Sequence, residues 1–255
     1  MIFAKVLDGF NYLMKEKSVS QAIEFRRSVR LYDLNKSINI DNIKKCISQA
    51  TLSPSSSNMQ LWEFHHIISN DNKEKIIKAC FSQPAAKTAD QLVVIAVRKD
   101  LWRKRLQSNI DNIKKSFSNE EIQDPKKEKK ALFYYEKMVP MVYFDSLGFI
   151  NFFKKLSSKI YGLFKPTYRE VSKSDVRVIA HKSAALAGQS FMISMAGMGY
   201  DTCPMEGFDS SRIKKILNLP MNSEISMIIS CGIRTKKGVY GNRFRISFDE
   251  VYRVH

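Results

Sequence analysis

Arginines are concentrated in one short segment near the start of the chain. Residues 26–30 read Arg-Arg-Ser-Val-Arg, so three guanidiniums and one hydroxyl lie within five positions. Guanidiniums bind phosphate oxygens through charge-assisted and often bidentate hydrogen bonds. The segment is therefore a candidate pocket for a phosphate dianion, although arginine-rich pentamers are also common on solvated surfaces.

A second polar cluster occupies residues 52–62, which read Leu-Ser-Pro-Ser-Ser-Ser-Asn-Met-Gln-Leu-Trp. Its backbone amides, together with Asn58 and Gln60, offer donors and acceptors for the edge of a planar heterocycle. The alternative is a plain polar loop between a helix and a strand, with Trp62 in the core.

A third cluster, residues 200–209, reads Tyr-Asp-Thr-Cys-Pro-Met-Glu-Gly-Phe-Asp and follows a long apolar segment. Gly207 permits a positive φ or a close approach of the backbone to a ligand. An exposed backbone N–H here could donate to a ring nitrogen, so the segment is a candidate ligand contact.

Hydrophobic periodicity and capping signals predict the elements that position these clusters. Apolar runs indicate strands, two of them covered on both faces. Helices alternate with the strands, which favours a three-layer α/β or α+β sandwich. The predicted helices are 18–27, 41–52, 175–198 and 210–217, and the predicted strands are Trp62–Ile68, Leu92–Val97 and Ile225–Cys231.

The helix predicted over residues 175–198 carries apolar side chains around most of its circumference. A helix without a polar face must be surrounded by protein. Small residues, among them Ala184, Ala187 and Gly188, would let another helix approach closely. We therefore expect a dimer interface here, with the central helix of a monomer as the alternative.

Residues 101–175 form a predicted insertion. Its first part, to about Lys137, is strongly charged and is expected to be helical and exposed. Its second part places Phe149, Phe153, Leu156, Ile160 and Leu163 at helical spacing, with lysines opposite. This pattern fits a surface-packed helix, a lid over an active site, or contact of residues 147–164 with a membrane surface. Packing is the commonest of the three.

The formal net charge of +17 would attract nucleic acid, anionic lipid or a dinucleotide. The excess is spread along the chain and accompanies no nucleic-acid-binding signature, so no nucleic-acid partner is expected. Four separated cysteines and four histidines give no support for a metal site. Without an evident signal peptide, we expect a cytoplasmic protein with reduced thiols.

Five segments, taken together and in order, resemble the nitroreductase family of FMN-dependent NAD(P)H oxidoreductases. They read RRSVRLYD at 26–33, LSPSSSNMQLWEF at 52–64, ALAGQSFMISMAGMGYDTCPMEGFD at 185–209, IISCGIR at 228–234 and NRFRISFDE at 242–250. The resemblance covers about residues 18–100 and 175–255.

The resemblance implies one FMN-binding domain over residues 1–255. Its fold would be α+β, a three-layer sandwich with a central, mainly antiparallel sheet, in an intertwined homodimer with two FMN sites at the interface. It also implies which residues bind FMN. The phosphate and ribityl ligands would be Arg26, Arg27, Ser28, Arg30, Arg243 and Arg245. Pro54, Ser55, Ser56 and Asn58 would come from the second subunit, with Gln83 at the pyrimidine edge and Met205, Glu206 and Gly207 along one ring face.

The implied chemistry is hydride transfer from NADH or NADPH, through flavin N5, to a small electrophilic acceptor such as a nitroaromatic or a quinone. The flavin performs this chemistry, so no catalytic side chain is expected, and sharing of one site predicts ping-pong kinetics. A dehalogenase, an enone reductase or a flavin-consuming enzyme of the same fold is an alternative, as is a non-enzymatic basic protein. Leu61 departs from the family pattern, which usually has proline before the tryptophan.

Overall fold

A four-stranded antiparallel sheet forms the middle layer of the fold. The computed structural model describes residues 16–118, 124–144 and 149–255. The strands are β1 (Trp62–Ile67), β2 (Gln91–Val97), β3 (Asp201–Met205) and β4 (Glu224–Gly232), in the order β1-β2-β4-β3. All three predicted strands are confirmed within a residue at each end, and β3 is additional.

The two central strands, β2 and β4, are buried on both faces, as their apolar sequences predict. Leu92 lies opposite Ser230 and Val94 opposite Ile228, and the register shifts between Ile95 and Ala96. Alternate side chains of β2 therefore enter the cores on opposite sides of the sheet.

Helices cover both faces of this sheet. On one face, the helices Ile40–Ala50 and Lys173–Gly197 pack against Val93 and Ile95 of β2. On the other face, the helices Asn70–Ala79, Pro84–Lys87 and Ser210–Ile216 pack against Leu92 and Val94. The three-layer α+β prediction is confirmed. The helices are α1 (Val19–Phe25), α2 (Ile40–Ala50), α3 (Asn70–Ala79), α4 (Pro84–Lys87), α5 (Trp102–Ser118), α6 (Pro125–Phe133), α7 (Val139–Tyr143), α8 (Phe149–Tyr161), α9 (Lys173–Gly197), α10 (Ser210–Ile216) and α11 (Phe248–Val251).

Side-chain caps fix where several helices begin. Ser18 begins α1 through a capping box with Gln21. Asn39, rather than Asp41, caps α2, because its side chain accepts the N–H of Asp41 and its neighbour. Ser172 caps α9, which begins at Lys173, two residues before the predicted start at residue 175.

The long helix α9 is less completely buried than its composition predicts. Phe191 and Met195 are fully buried against the sheet, but Leu186 is half exposed. Val178, Leu186 and their small neighbour Ala185 form an exposed stripe along one side of α9. Among the helices in the described part of the chain, none has the length and apolar character needed to cross a bilayer.

The predicted insertion folds into α5, α6, a π-helical turn at Tyr134–Met138, α7 and α8. It is anchored by a third hydrophobic cluster, in which Val139 and Tyr143 meet Leu61 and Val176. Its charged first part is helical, as predicted, but Asn109 and Ile110 of α5 are buried. The aromatic face of α8 remains exposed, so the expected surface packing of this face does not occur within the described chain.

Candidate functional site

The arginines from the two ends of the chain meet in one pocket of about 280 Å³. Arg26, Ser28 and Arg30 contribute one wall, and Arg243 and Arg245 contribute the other. The residues that complete the lining are Arg27, Val239, Tyr240, Asn242 and Phe244. All six phosphate and ribityl ligands that the family resemblance implies therefore lie together.

Positive charge in this pocket is not compensated by the protein. None of its five arginines forms an ion pair with a carboxylate of the described residues. Burial lowers the pKa of Arg26, and repulsion from Arg243 and Arg245 lowers it further. Clustered guanidiniums that repel one another favour a bound anion, which would relieve the repulsion.

Backbone pairing holds the N-terminal arginines in place. Ser28 forms a parallel bridge with Thr202 of β3, and the Val29 N–H donates to the Thr202 carbonyl at 3.2 Å. The side chain of Val29 is fully buried, while the N–H of Arg30 donates to the Gly238 carbonyl at 2.6 Å. These contacts leave Arg26 and Arg30 along the edge of the sheet beside β3.

The C-terminal segment joins this edge through guanidinium-to-carbonyl hydrogen bonds. Arg243 donates to the carbonyls of Glu24 at 2.6 Å and Arg26 at 2.7 Å. Arg27 donates in the other direction, to the carbonyl of Gly241 at 3.0 Å. Gly241 has φ +69°, a left-handed conformation that glycine adopts without strain, and the chain turns there.

An ion pair with a buried carboxylate holds the start of the arginine segment against the sheet. Asp201 is 3% exposed, and its carboxylate accepts from the backbone N–H and the Nε of Arg234, each at 2.7 Å. Arg234 also donates to the carbonyl of Phe25 at 3.0 Å and lies 4.4 Å from the centre of its ring. The end of α1, where the arginine segment begins, is thus fixed to the sheet.

Gln83 and Gly207 are brought together, as the resemblance implies. The Gln83 amide donates to the Gly207 carbonyl at 3.0 Å and to the Cys80 carbonyl at 3.2 Å. Glu206 and Gly207 are exposed, and open space surrounds the position a Gly207 Cβ would take. The φ of Gly207 is not positive, so its relevant property is the absence of a side chain, which leaves room for a close approach to its backbone.

Met205 differs from its implied role. Its side chain is 2% exposed and belongs to the hydrophobic core on the α3 and α10 side of the sheet. The side chain is therefore not available to line an open ring face. That face is left to the backbone that follows β3, at Glu206 and Gly207.

The loop from residues 52 to 61 packs elsewhere, on α9 and the insertion. Ser53 Oγ donates to Ser190 Oγ at 2.7 Å, and the Ser56 N–H donates to Ser183 Oγ at 3.4 Å. Asn58 exchanges two hydrogen bonds with Asn109 of α5, at 3.0 and 3.1 Å. The loop contributes nothing to the lining of the arginine pocket in the same chain, so Pro54, Ser55, Ser56 and Asn58 stay predicted ligands from a second subunit.

Sequence reasoning did not include Tyr240 and Asn242 in the site. Asn242 lies directly before the arginines of the segment 242–250, so its inclusion in that motif was an available signal. Tyr134 and Tyr135, which hydrogen-bond to Ser57, were also not anticipated. No local pattern marks those contacts, because they join residues 77 and 78 positions apart.

His181, Cys203 and Cys231 have structural surroundings. His181 lies 3.1 Å from Glu224 and 3.4 Å from Ser226, so both of its ring nitrogens have polar partners. Burial raises the pKa of the Cys203 thiol, against the opposing effect of Arg30 and Arg26. Cys203 and Cys231 are buried and form no disulfide.

The described residues form a three-layer α+β protein with an arginine-lined pocket between residues 26–30 and residues 239–245. The model of the nitroreductase family matches residues 23–233. The chain belongs to the nitroreductase family.

Individual relatives are similar over most of their length. YodC of Bacillus subtilis, which bears the name NAD(P)H nitroreductase, is 24% identical over 225 residues, 88% of this chain and 94% of the relative. A Staphylococcus epidermidis structure described as an NAD(P)H:FMN oxidoreductase has a TM-score of 0.71 at 18% identity, over 94% of this chain and 97% of its own. An Exiguobacterium sibiricum structure described as a nitroreductase in complex with FMN has a TM-score of 0.65 at 20% identity, over 94% and 98%.

Proposed function

We propose that this protein is a homodimeric, FMN-dependent oxidoreductase that moves hydride from NADH or NADPH to a small electrophilic acceptor. The observation that carries the proposal is the pocket in which five guanidiniums from both chain ends converge without a carboxylate. Family membership and the names of the relatives support the same reading.

The pocket fits the phosphate of FMN in both charge and donor type. Arg26 and Arg30 would neutralise the dianion, while the Ser28 hydroxyl would add a neutral hydrogen bond. Arg243 and Arg245 would close the pocket from the C-terminal side. FMN, when bound, supplies the ring that accepts and releases hydride, and the protein supplies position and charge.

Other residues would orient the ring. The Gln83 amide, fixed by its two carbonyl acceptors, would face the pyrimidine edge. The open surface at Glu206 and Gly207 would let the backbone approach one ring face. Pro54, Ser55, Ser56 and Asn58 would reach the same ring from the second subunit, across an interface formed by the exposed stripe of α9.

The proposed acceptors are nitroaromatics, quinones or similar conjugated electrophiles. Since donor and acceptor would use one site in turn, double-reciprocal plots at several acceptor concentrations should be parallel. Intersecting lines would contradict this alternation. The four buried free cysteines suit a reducing compartment, so we propose the cytoplasm as the site of action.

The test of the proposal is retention of FMN by the purified protein. The wild-type protein should show the visible absorption of a flavin. Arg26→Ala with Arg30→Ala should weaken FMN binding at least about 100-fold, since each lost charge-assisted hydrogen bond contributes roughly 1.5–3 kcal/mol. Binding is measured by titration of the apoprotein with FMN, followed by fluorescence quenching.

Arg212→Ala is the matched control, because Arg212 is 74% exposed and pairs only with Asp209, three residues away on the surface. It should bind FMN as the wild type does. Far-ultraviolet circular dichroism checks that each variant remains folded. A folded double variant with unchanged FMN affinity, or a wild-type protein that takes up no FMN, would overturn the proposal.

A further inference from the structure

The amphipathic helix α8 packs against the rest of the protein with its polar side. Ser158 is 8% exposed, and its Oγ donates to the Tyr168 carbonyl at 2.7 Å. Lys154 donates to the Phe144 carbonyl at 2.9 Å from the same side. At 100° per residue, Leu156 and Ile160 lie about 160° from Ser158 around the helix axis. The arrangement is the reverse of an ordinary surface helix, which buries its apolar side.

The apolar side of α8 therefore faces solvent. Phe152, Phe153, Leu156, Ile160 and Leu163 are between 41% and 79% exposed. These side chains follow one another along the helix and its C-terminal turn. Large exposed apolar patches of this kind mark interaction surfaces on folded proteins.

A groove of about 830 Å³ continues this apolar surface. Phe153 and Tyr161 of α8 form one wall, and Met141 and Phe144 form the wall across from it. Thr167, Tyr168 and Val171 close the base. The exposed face of α8 and the groove together make a broad apolar surface rather than a narrow ligand pocket.

The charged residues of α8 and of the turn that follows it are all lysines. Lys155 and Lys159 are exposed on the flank of α8, and Lys165 follows its C-terminal turn. Residues 149–165 contain four lysines and no aspartate or glutamate. Lysine stems can lie along an apolar surface while their ammonium groups reach a layer of anionic groups above it.

We propose that α8 is an interfacial anchor that lies in the plane of an anionic lipid bilayer, with its aromatic face among the acyl chains. An exposed aromatic face flanked by lysines of the same helix is the pattern of helices that bind anionic membrane surfaces. The alternative occupant is a second copy of the chain. A two-fold contact through this face would bring the lysines of both copies together, which disfavours it.

The experiment is flotation of the full-length protein with vesicles of phosphatidylcholine, alone or mixed with phosphatidylglycerol. Protein should float with the anionic vesicles and remain free with the neutral ones. Raising the salt from roughly 0.1 M to roughly 1 M should weaken the association, because the screening length falls about threefold.

Two double variants test the apolar side chains and the lysines of the surface separately. Leu156→Ser with Ile160→Ser should lower partitioning into anionic vesicles at least about tenfold, by removing apolar area. Lys155→Gln with Lys159→Gln should lower it roughly 25-fold, since each lysine near an anionic surface contributes roughly fivefold. The control is Leu34→Ser, because Leu34 is 77% exposed far from α8 in the sequence, and it should partition as the wild type does.

The oligomeric state of each variant is measured by light scattering. If the serine variant is smaller in mass than the wild type, the face is a contact between subunits and the proposal is overturned. Equal flotation of wild type and both variants, or no flotation with anionic vesicles, would also overturn it. FMN binding is not part of the measurement, so the outcome is independent of the proposed oxidoreductase activity.

Discussion

Two groups of charged residues in this protein behave in opposite ways. The arginines of the pocket form no ion pair with a carboxylate of the described residues, whereas Glu224 is surrounded by cations. Burial alone would raise the pKa of Glu224, but hydrogen bonds from Lys99, His181 and Arg177 outweigh burial and lower the pKa to about 2. The first group is the site that we propose for the FMN phosphate, and the second holds α9 to β4.

Because the pKa of Glu224 is lowered, part of the free energy of unfolding depends on pH. A carboxyl whose folded pKa lies below its unfolded value of 4.5 stabilises the fold above that value and loses this effect as the pH falls toward 2. Because Glu224 keeps some solvent contact, the contribution is about 1–2 kcal/mol. Glu224→Gln should therefore be less stable than the wild type at neutral pH, with the difference shrinking between pH 4.5 and 2. Urea unfolding across this range measures it, and a constant difference would contradict the assignment.

The ion pair between Asp201 and Arg234 gives a second prediction at this scale. Asp201→Ala should lower the free energy of unfolding by about 3 kcal/mol, because it leaves the Arg234 guanidinium without its buried partner. Asp71→Ala removes a surface carboxylate from the pair with Lys75 and should cost about 1 kcal/mol or less. Equal losses in the two variants, measured by chemical unfolding, would show that the buried pair does not fix the end of α1.

Individual site residues were predictable to different degrees. That Arg26, Ser28 and Arg30 line one pocket was predictable, because they lie within five positions of one another. The burial of Met205 was not, since alternation along β3 depends on which face the strand turns toward the core.

Among the elements, the loop from Ser55 to Gln60 is held in an unusual conformation. Ser57, Asn58 and Gln60 all have positive φ, near +50°, which is uncommon for residues other than glycine. The two hydrogen bonds between Asn58 and Asn109 of α5 compensate for part of this strain. The insertion therefore stabilises the loop that is proposed to reach the ring of the second subunit.

Asn109→Ala tests this coupling between elements. The change removes the acceptor of the Asn58 side-chain amide and one of the donors to the Asn58 carbonyl. It should lower the free energy of unfolding by roughly 1–3 kcal/mol. Asn112→Ala, at an exposed position on the same helix, should have an effect within about 0.5 kcal/mol. If the two variants are equally stable in denaturant titrations, α5 does not hold the loop.

Most elements could be predicted because apolar periodicity and caps are local. The helix predicted at 175–198 and the strand predicted at 92–97 differ from the structure by at most two residues at either end. The orientation of α8 was not predictable, because amphipathicity defines two faces but does not say which one meets the protein. In the structure, the hydrogen bond from Ser158 to the Tyr168 carbonyl, beyond the helix, holds the polar face of α8 against the protein.

For the whole molecule, the exposed stripe of α9 is the surface we propose to join two subunits. Ala185→Glu, at a small exposed position in this stripe, should convert the dimer to a monomer, because a carboxylate would be buried without a partner. FMN affinity should fall in parallel, since the proposed site uses residues of both subunits. Light scattering gives the mass, and FMN titration gives the affinity.

The control is Asn70→Glu, at an exposed position on the helix layer across the sheet. It should remain dimeric and bind FMN normally. An Ala185→Glu protein that stays dimeric would place the subunit contact elsewhere.

The arginine pocket also constrains the order in which the molecule can be completed. The hydrogen bond from Arg27 to Gly241 joins residues 214 positions apart, and Arg243 reaches back 217 positions to Arg26. During synthesis, residues 26–30 leave the ribosome long before residues 241–245 exist. Closure of the pocket must therefore be among the last events of biogenesis, and uptake of FMN at the site that we propose would follow it. A ribosome that stalls or terminates before Arg243 would release a chain with most of its core but only half of this pocket.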